Sequence, residues 1–190
     1  MSLILASASP RRAQLLEQLG LVDYKVIPAD IDESLHDGES EIDYVHRMAH
    51  EKGEVVRDQS SSTDVVISAD TAVCIDGEIM GKPKNEQIGC QMLSRLSGRV
   101  HTVHTAVVVS QLDFLGDSLS TSAVTFRPLS QEEIKQYWQT GEPQDKAGAY
   151  AIQGLGAMFV ENLQGSFSGV MGLPLYETAQ LLKQVNVSLL

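Results

Sequence analysis

Ser7-Ala8-Ser9-Pro10-Arg11-Arg12 carries the strongest chemical signal in the chain. It lies where a short apolar run gives way to a helix start, and the free N–H groups and dipole of a helix N-terminus attract anions. Two arginines in a first helical turn oppose that dipole. A bound phosphate would remove the conflict, because guanidinium pairs bidentately with phosphate oxygens. The plainer alternative is a capped helix with two solvated arginines. Asp70 follows an apolar strand and precedes Thr71. Ligands in α/β sheets collect at the C-terminal ends of strands, so a carboxylate there could bind a divalent cation, act as a base on water, or simply cap a turn. Lys52 falls on the apolar stripe of its own helix, where it either snorkels to solvent or points into a cleft. Glu33, in Asp30-Ile31-Asp32-Glu33, is a possible metal ligand or part of a solvated acidic loop. Gly81-Lys82-Pro83 is a rigid turn presenting a lysine, and Gln153 sits in the Gly-punctuated stretch from Asp145 to Gly154. Burying its amide unpaired would be costly, so Gln153 either meets backbone groups or reads the hydrogen-bonding edge of a ligand.

Other polar residues carry less. His46 and His50 are spaced i, i+4, as metal ligands on a helix can be, but no third ligand is evident and a solvated surface pair is expected. His101 and His104 lie in a strand region, where a spacing of three puts them on opposite faces. Cys74 and Cys90 have neither disulfide-framework nor zinc-type spacing, and buried, inert thiols are expected. G-x-S-x-G, P-loop and G-x-G-x-x-G motifs are absent from the sequence.

Alternating elements must position these residues. Leu3–Ala6 reads as a buried strand. Ser9 is the expected N-cap and Pro10 the first residue of a helix with Ala13, Leu15, Leu16 and Leu19 inward, closed by Gly20. A second helix starts at Ser40 with Asp43 in capping-box spacing and a stripe of Ile42, Val45, Ala49 and Val56. Val65–Ile67 is a strand running into Ser68-Ala69-Asp70-Thr71. A third helix spans about Asn85–Leu96, ending at Gly98. Two neighbouring antiparallel β segments follow, near His101–Ser110 and Leu119–Arg127. Ser130 and Glu133 form a capping box ahead of Ile134, Tyr137 and Trp138. A strand near Met158–Asn162 precedes a last helix with Pro174 in its first turn and Leu175, Ala179, Leu182 and Val185 inward. Helices alternating with strands that partly follow one another directly imply an α/β protein with a mixed sheet.

The chain of 190 residues carries 14 Lys+Arg against 25 Asp+Glu, a net charge of −11, with 43% hydrophobic residues. That suffices for one domain spanning 1–190 with its own core. The acidic balance argues against nonspecific grip on nucleic acid or anionic membrane, but leaves room for a few cations around one small anion. Neither a signal-peptide pattern nor an apolar run of membrane-spanning length is present, so a cytoplasmic, reduced protein is expected.

Taken in order, Ser7–Arg12, Ser68–Thr71, Gly81-Lys82-Pro83, Ser97-Gly98 followed by His101–Val107, and Asp145–Gly154 make the chain recognisable. From Leu3 to about Leu182 it resembles the Maf family of nucleoside triphosphate pyrophosphatases. The resemblance implies an elongated mixed α/β fold of the inosine-triphosphatase type, with two lobes and a central cleft. It implies hydrolysis between the α and β phosphates, a divalent metal (Mg²⁺ or Mn²⁺), and an expected homodimer. Asp70 matches the catalytic proton acceptor. Ser7, Arg11, Arg12, Lys52 and Lys82 match phosphate-binding positions, and Glu33, with Asp70, lies near the metal. Arg12, Thr71 and Gln153 match the subgroup acting on dTTP and UTP. The alternatives are a preference for 7-methyl-GTP or other modified nucleotides, and a non-catalytic nucleotide-binding regulator of cell division.

Overall fold

The computed structural model describes residues 1–189. Seven strands form one mixed sheet: β1 (Leu3–Leu5), β2 (Lys25–Val26), β3 (Val65–Ile75), β4 (Glu78–Met80), β5 (Val100–Gln111), β6 (Phe114–Phe126) and β7 (Val160–Gln164). Their order is β2-β1-β3-β5-β6-β7, with β4 also paired to β3. The β1–β2 and β1–β3 pairs are parallel, and all the others are antiparallel. Six helices flank it: α1 (Pro10–Gln18), α2 (Glu41–Asp58), α3 (Glu86–Leu96), α4 (Gln131–Gln139), α5 (Phe167–Met171) and α6 (Leu175–Gln184). This is the mixed α/β architecture the alternation predicts. No helix among the described residues is long and apolar enough to cross a membrane.

The central strand β3 is buried on both faces, as its near-continuous apolar sequence requires. Its odd-numbered residues Val65, Ile67, Ala69, Val73 and Ile75 face the main core, built with Leu15, Leu16, Leu93, Leu96, Ile134 and Leu182. Its even-numbered residues Ala72 and Cys74 face α2, meeting Val45 and Ala49. The period-2 alternation therefore sends Asp70 toward α2 and Thr71 toward the main core.

One edge of β3 is fully paired with β5, from Val66 to Cys74. The other edge is shared. β1 pairs with Val65–Ile67, β4 pairs with Val73–Ile75, and a gap remains between them. β1 runs into this gap from one side and ends just before Ser7. β4 runs in from the other and ends just before Gly81-Lys82.

Several sequence expectations are corrected here. Asp70 does not end its strand, because Ala72–Ile75 extends β3 to 11 residues; what ends beside Asp70 is the parallel partner β1. The β5–β6 pair is a long hairpin turning at Leu112, which adopts a left-handed φ of 50° without the glycine that usually marks such a turn. The last strand begins at Val160, and Met158 belongs to the preceding 3₁₀ turn. Ile42 is exposed, and Met48 and Lys52 take places on the buried face of α2. Pro174 is the N-cap of α6, where Leu175 and Ala179 are half-buried and Thr178 and Leu181 are core. Cys90 is half-buried. The helix caps at Ser40 and Ser130 form as the spacing predicts, with the full capping box at Ser130–Glu133, while Asn85, expected as the first residue of the third helix, is the N-cap of α3.

Candidate active site

A cleft of about 580 Å³, in the size range of small-molecule sites, opens at the gap beside β3. Ser7, Arg11, Arg12, Glu33, Lys52, Asp70, Thr71, Lys82 and Gln153 all line it, so every candidate singled out above comes to one place. Of the cleft-lining side chains, five are cations (Arg11, Arg12, Lys52, Lys82, Lys146) and three are carboxylates (Glu33, Asp70, Asp145).

The α2 side holds a three-membered charge cluster. Lys52 Nζ donates to Asp70 Oδ1 at 2.7 Å and lies 2.6 Å from Glu33 Oε1. The side chains of Lys52 and Asp70 are 11% and 12% exposed, so Lys52 points into the cleft and does not snorkel. The helix can come this close because Gly53 has no side chain: a Cβ there would stand 2.7 Å from Ser68 Oγ, which donates to the Ala49 carbonyl. Burial pushes the Glu33 carboxyl up, but the hydrogen bond and charge of Lys52, with Lys82 and Arg12 beyond, outweigh it and leave its pKa below the ordinary value. Tyr44 closes this side. Its hydroxyl donates to the Glu33 carbonyl at 3.1 Å, and burial, reinforced by Asp70 and Glu33, pushes its pKa up to about 12.

The α1 side is organised by Arg12. Its Nε donates to the Gly172 carbonyl at 2.7 Å, Nη1 to Ser7 Oγ at 3.1 Å and Nη2 to Thr71 Oγ1 at 3.3 Å. Thr71 is held in turn by the Thr105 hydroxyl at 3.0 Å. Arg11 Nε donates to the Met171 carbonyl at 3.4 Å. The two arginines thus reach the carbonyls at the end of α5, which relieves part of the dipole conflict without any ligand. Burial lowers the pKa of both, offset for Arg12 by Asp70 and for Arg11 by Asp145. Two of the five N–H donors of Arg12 find no partner among the described residues and can still meet an anion. Ser9 occupies the N-cap position of α1, but its side chain makes no cap hydrogen bond, so first-turn N–H groups remain open.

A match to the model of the Maf-like proteins extends over residues 2–185. The chain belongs to the Maf family. Among curated relatives, the dTTP/UTP pyrophosphatase of Methylobacillus flagellatus is 50% identical over 97% of this chain and 93% of that protein. The dTTP/UTP pyrophosphatase of Methylococcus capsulatus is 50% identical over 98% and 92%. The nucleoside triphosphate pyrophosphatase of Haemophilus ducreyi is 48% identical over 99% and 97%. Among solved structures, a Ham1 protein from Coxiella burnetii covers 98% of each chain at 13% identity with a TM-score of 0.49.

On this Maf scaffold the Gln153 loop departs from the sequence expectation. Gln153 is exposed, and its amide has no hydrogen-bond partner among the described residues, so the cost-of-burial rationale does not apply to it. The loop is shaped by Glu142, which sequence analysis overlooked. Its carboxylate accepts the Tyr137 hydroxyl at 2.6 Å, Leu155 N–H at 2.9 Å and Gly156 N–H at 3.0 Å, and a Cβ on Gly154 would stand 2.2 Å from it. Tyr137 in turn accepts from Ala151 N–H at 3.1 Å. The only sequence cue was a glutamate just after Gly141, with glycines twelve and more residues on. Lys146 pairs with Asp145 within the same segment.

Proposed function

We propose that this Maf protein is a nucleoside triphosphate pyrophosphatase that hydrolyses dTTP and UTP to the monophosphate and pyrophosphate. The carrying observation is the convergence of five cations and three carboxylates on one cleft of an acidic chain. The names of relatives at about half identity supply the substrate class. Ser7, Arg11, Arg12, Lys52 and Lys82 bind the triphosphate. Lys52 has three N–H donors, of which two meet Asp70 and Glu33, so the third serves a phosphate oxygen. Asp70 accepts the proton of the attacking water, whose oxygen bonds to the α phosphorus as the bond to the bridging oxygen breaks. The charge gathering on the departing pyrophosphate is met by the arginines and lysines, already fixed in place, and such preorganised electrostatics dominates phosphoryl chemistry.

Glu33 and Asp70 are hard oxygen donors flanking one ammonium, a donor set that suits Mg²⁺ or Mn²⁺ and leaves phosphate and water oxygens to complete the shell. Such an ion, when bound, would polarise the phosphates and acidify the water. Arg12 and Thr71 shape the base side, and the free amide of Gln153, which offers an NH₂ donor group beside a carbonyl acceptor, pairs with the O4/N3–H edge of thymine or uracil. A panel of nucleotides with Mg²⁺ or Mn²⁺, scored for monophosphate and pyrophosphate, tests this. Turnover of dTTP and UTP, lost by more than two orders of magnitude in Asp70→Asn, is expected. Binding of dTTP without turnover, or a preference for 7-methyl-GTP, would overturn it.

A further inference from the structure

A second constellation lies along the α2-facing side of the sheet, formed by residues that do not line the cleft. Cys74 on β3 and His104 on β5 share that face, because His104 stands opposite Ala72 and Cys74 follows two residues later. Glu41, the first residue of α2, comes down onto them. One ligand atom from each of the three lies within 4.8 Å of the others. Cys74 is 2% exposed and His104 6%, whereas the Glu41 side chain, 28% exposed, leaves a way in from solvent.

We propose that Glu41, Cys74 and His104 bind a borderline-soft divalent cation of the Zn²⁺ class, clamping the start of α2 to β3 and β5. The donor set is the first reason. Thiolate, imidazole and carboxylate together select Zn²⁺-like ions, and Mg²⁺ or Mn²⁺, which favour oxygen ligands, do not compete for them. The spacing is the second. His104 Nε2 stands 3.6 Å from Glu41 Oε2, too far for a hydrogen bond. It is close to the roughly 3.3–3.6 Å edge of a tetrahedron whose bonds from metal to nitrogen and oxygen are about 2.0–2.2 Å. The third is the support behind the imidazole. His104 Nδ1 meets Thr121 Oγ1 at 2.9 Å, so donation of Nδ1–H to that hydroxyl leaves the Nε2 lone pair facing Glu41 and Cys74.

A thiol binds such an ion as the thiolate, so its proton must leave. Binding therefore sends one thiol proton to bulk solvent and strengthens as pH rises. Glu41 opens the helix that carries Lys52, and Cys74 lies on the strand that carries Asp70, so the clamp braces the frame of the cleft without touching it.

Co²⁺, a spectroscopic stand-in for Zn²⁺, tests this on the full, reduced chain in the presence of excess Mg²⁺. A near-ultraviolet sulfur-to-cobalt charge-transfer band should rise to saturation at one ion per chain and be bleached by Zn²⁺. Cys74→Ser should abolish it, Cys90→Ser should leave it intact, and Thr121→Val should weaken binding about 10–100-fold. The half-buried pair His46 and His50, with the exposed Asp117, forms a rival cluster without sulfur. The His46→Ala/His50→Ala variant should therefore keep the band. Zn²⁺ should raise the melting temperature of the wild type but not of Glu41→Gln, a near-isosteric change at a half-buried side chain that leaves the fold intact. Absence of a charge-transfer band, or its survival in Cys74→Ser, would overturn the proposal, whatever the outcome of the nucleotide assays.

Discussion

Lys52 is the residue on which the charge balance of the cleft turns. It sits between Glu33 and Asp70 at hydrogen-bond distance from both, almost wholly out of solvent. Removing one member of a buried ion pair strands the other, at a typical cost of about 3–5 kcal/mol, whereas removing both is far less harmful. Lys52→Met should therefore lower stability by about 3 kcal/mol, and Asp70→Asn should recover part of that loss when the two are combined. A double-mutant cycle read by urea unfolding should give a coupling energy of about 1–3 kcal/mol. Strictly additive effects would mean that Glu33 alone suffices to neutralise the lysine. The same stranding should drive the Glu33 carboxyl upward in Lys52→Met, because the interactions that outweigh its burial come first from Lys52. On sequence alone the position was ambiguous: a lysine on an apolar stripe fits a snorkelling side chain and a cleft ligand equally, and only the packing of α2 on β3 through Gly53 decides between them.

At the level of elements, the site exists because two short strands share one edge of β3. β1 delivers Ser7 and β4 delivers Lys82 to the gap between their pairings, and Asp70 lies in it. The local signals of this arrangement were legible: the caps at Ser40 and Ser130, the Pro10 helix start and the Gly81-Lys82-Pro83 turn. The gap itself was not, because edge sharing is a fact of tertiary pairing and leaves no period in the sequence. For the same reason β3 appeared to stop at Asp70, and β6, expected only from about Leu119, begins at Phe114. The loop from 142 to 159 was equally opaque, since its organiser acts through three hydrogen bonds to groups up to 14 residues away. Glu142→Gln keeps the shape but replaces one acceptor oxygen with an NH₂ facing N–H or O–H donors. It should cost about 1–3 kcal/mol and loosen the segment that presents Gln153. The expected signature is faster amide exchange at Leu155 and Gly156 and a raised KM for dTTP. An unchanged KM alongside that exchange would show that the loop does not position the base.

The whole molecule sets its charges apart, and two consequences follow. The first concerns acid. His101 is buried among Phe126 and Tyr150, with Nε2 2.8 Å from the Tyr150 hydroxyl, and burial holds its pKa near 4 against an ordinary 6.5. Between those values the unfolded chain takes up a proton that the folded one refuses. Stability is therefore full above pH 6.5 and falls through the window, by up to about 3 kcal/mol at its lower end. His104, lowered in the same way, adds to the loss. Glu39 and Glu133, both held near 2 chiefly by their arginine partners, do not lose their contribution until the pH drops below the ordinary glutamate value of 4.5. Urea midpoints from pH 7 to 5 should therefore fall less steeply in His101→Gln than in the wild type, and parallel curves would refute the assignment. The second consequence concerns polyanions. Five of the 14 Lys and Arg side chains line the cleft, but only three of the 25 Asp and Glu side chains do, so the exterior carries more than the full net charge of −11. That exterior repels a long phosphate chain over a Debye length of about 10 Å, while a single triphosphate can enter the gap beside β3. Duplex DNA and heparin in mass excess should leave dTTP hydrolysis unchanged at low salt, whereas inorganic triphosphate should compete with dTTP and lose affinity as salt rises. Inhibition by heparin comparable to that by triphosphate would mean that the cations reach beyond the cleft and that the separation of charge does not govern what the site admits.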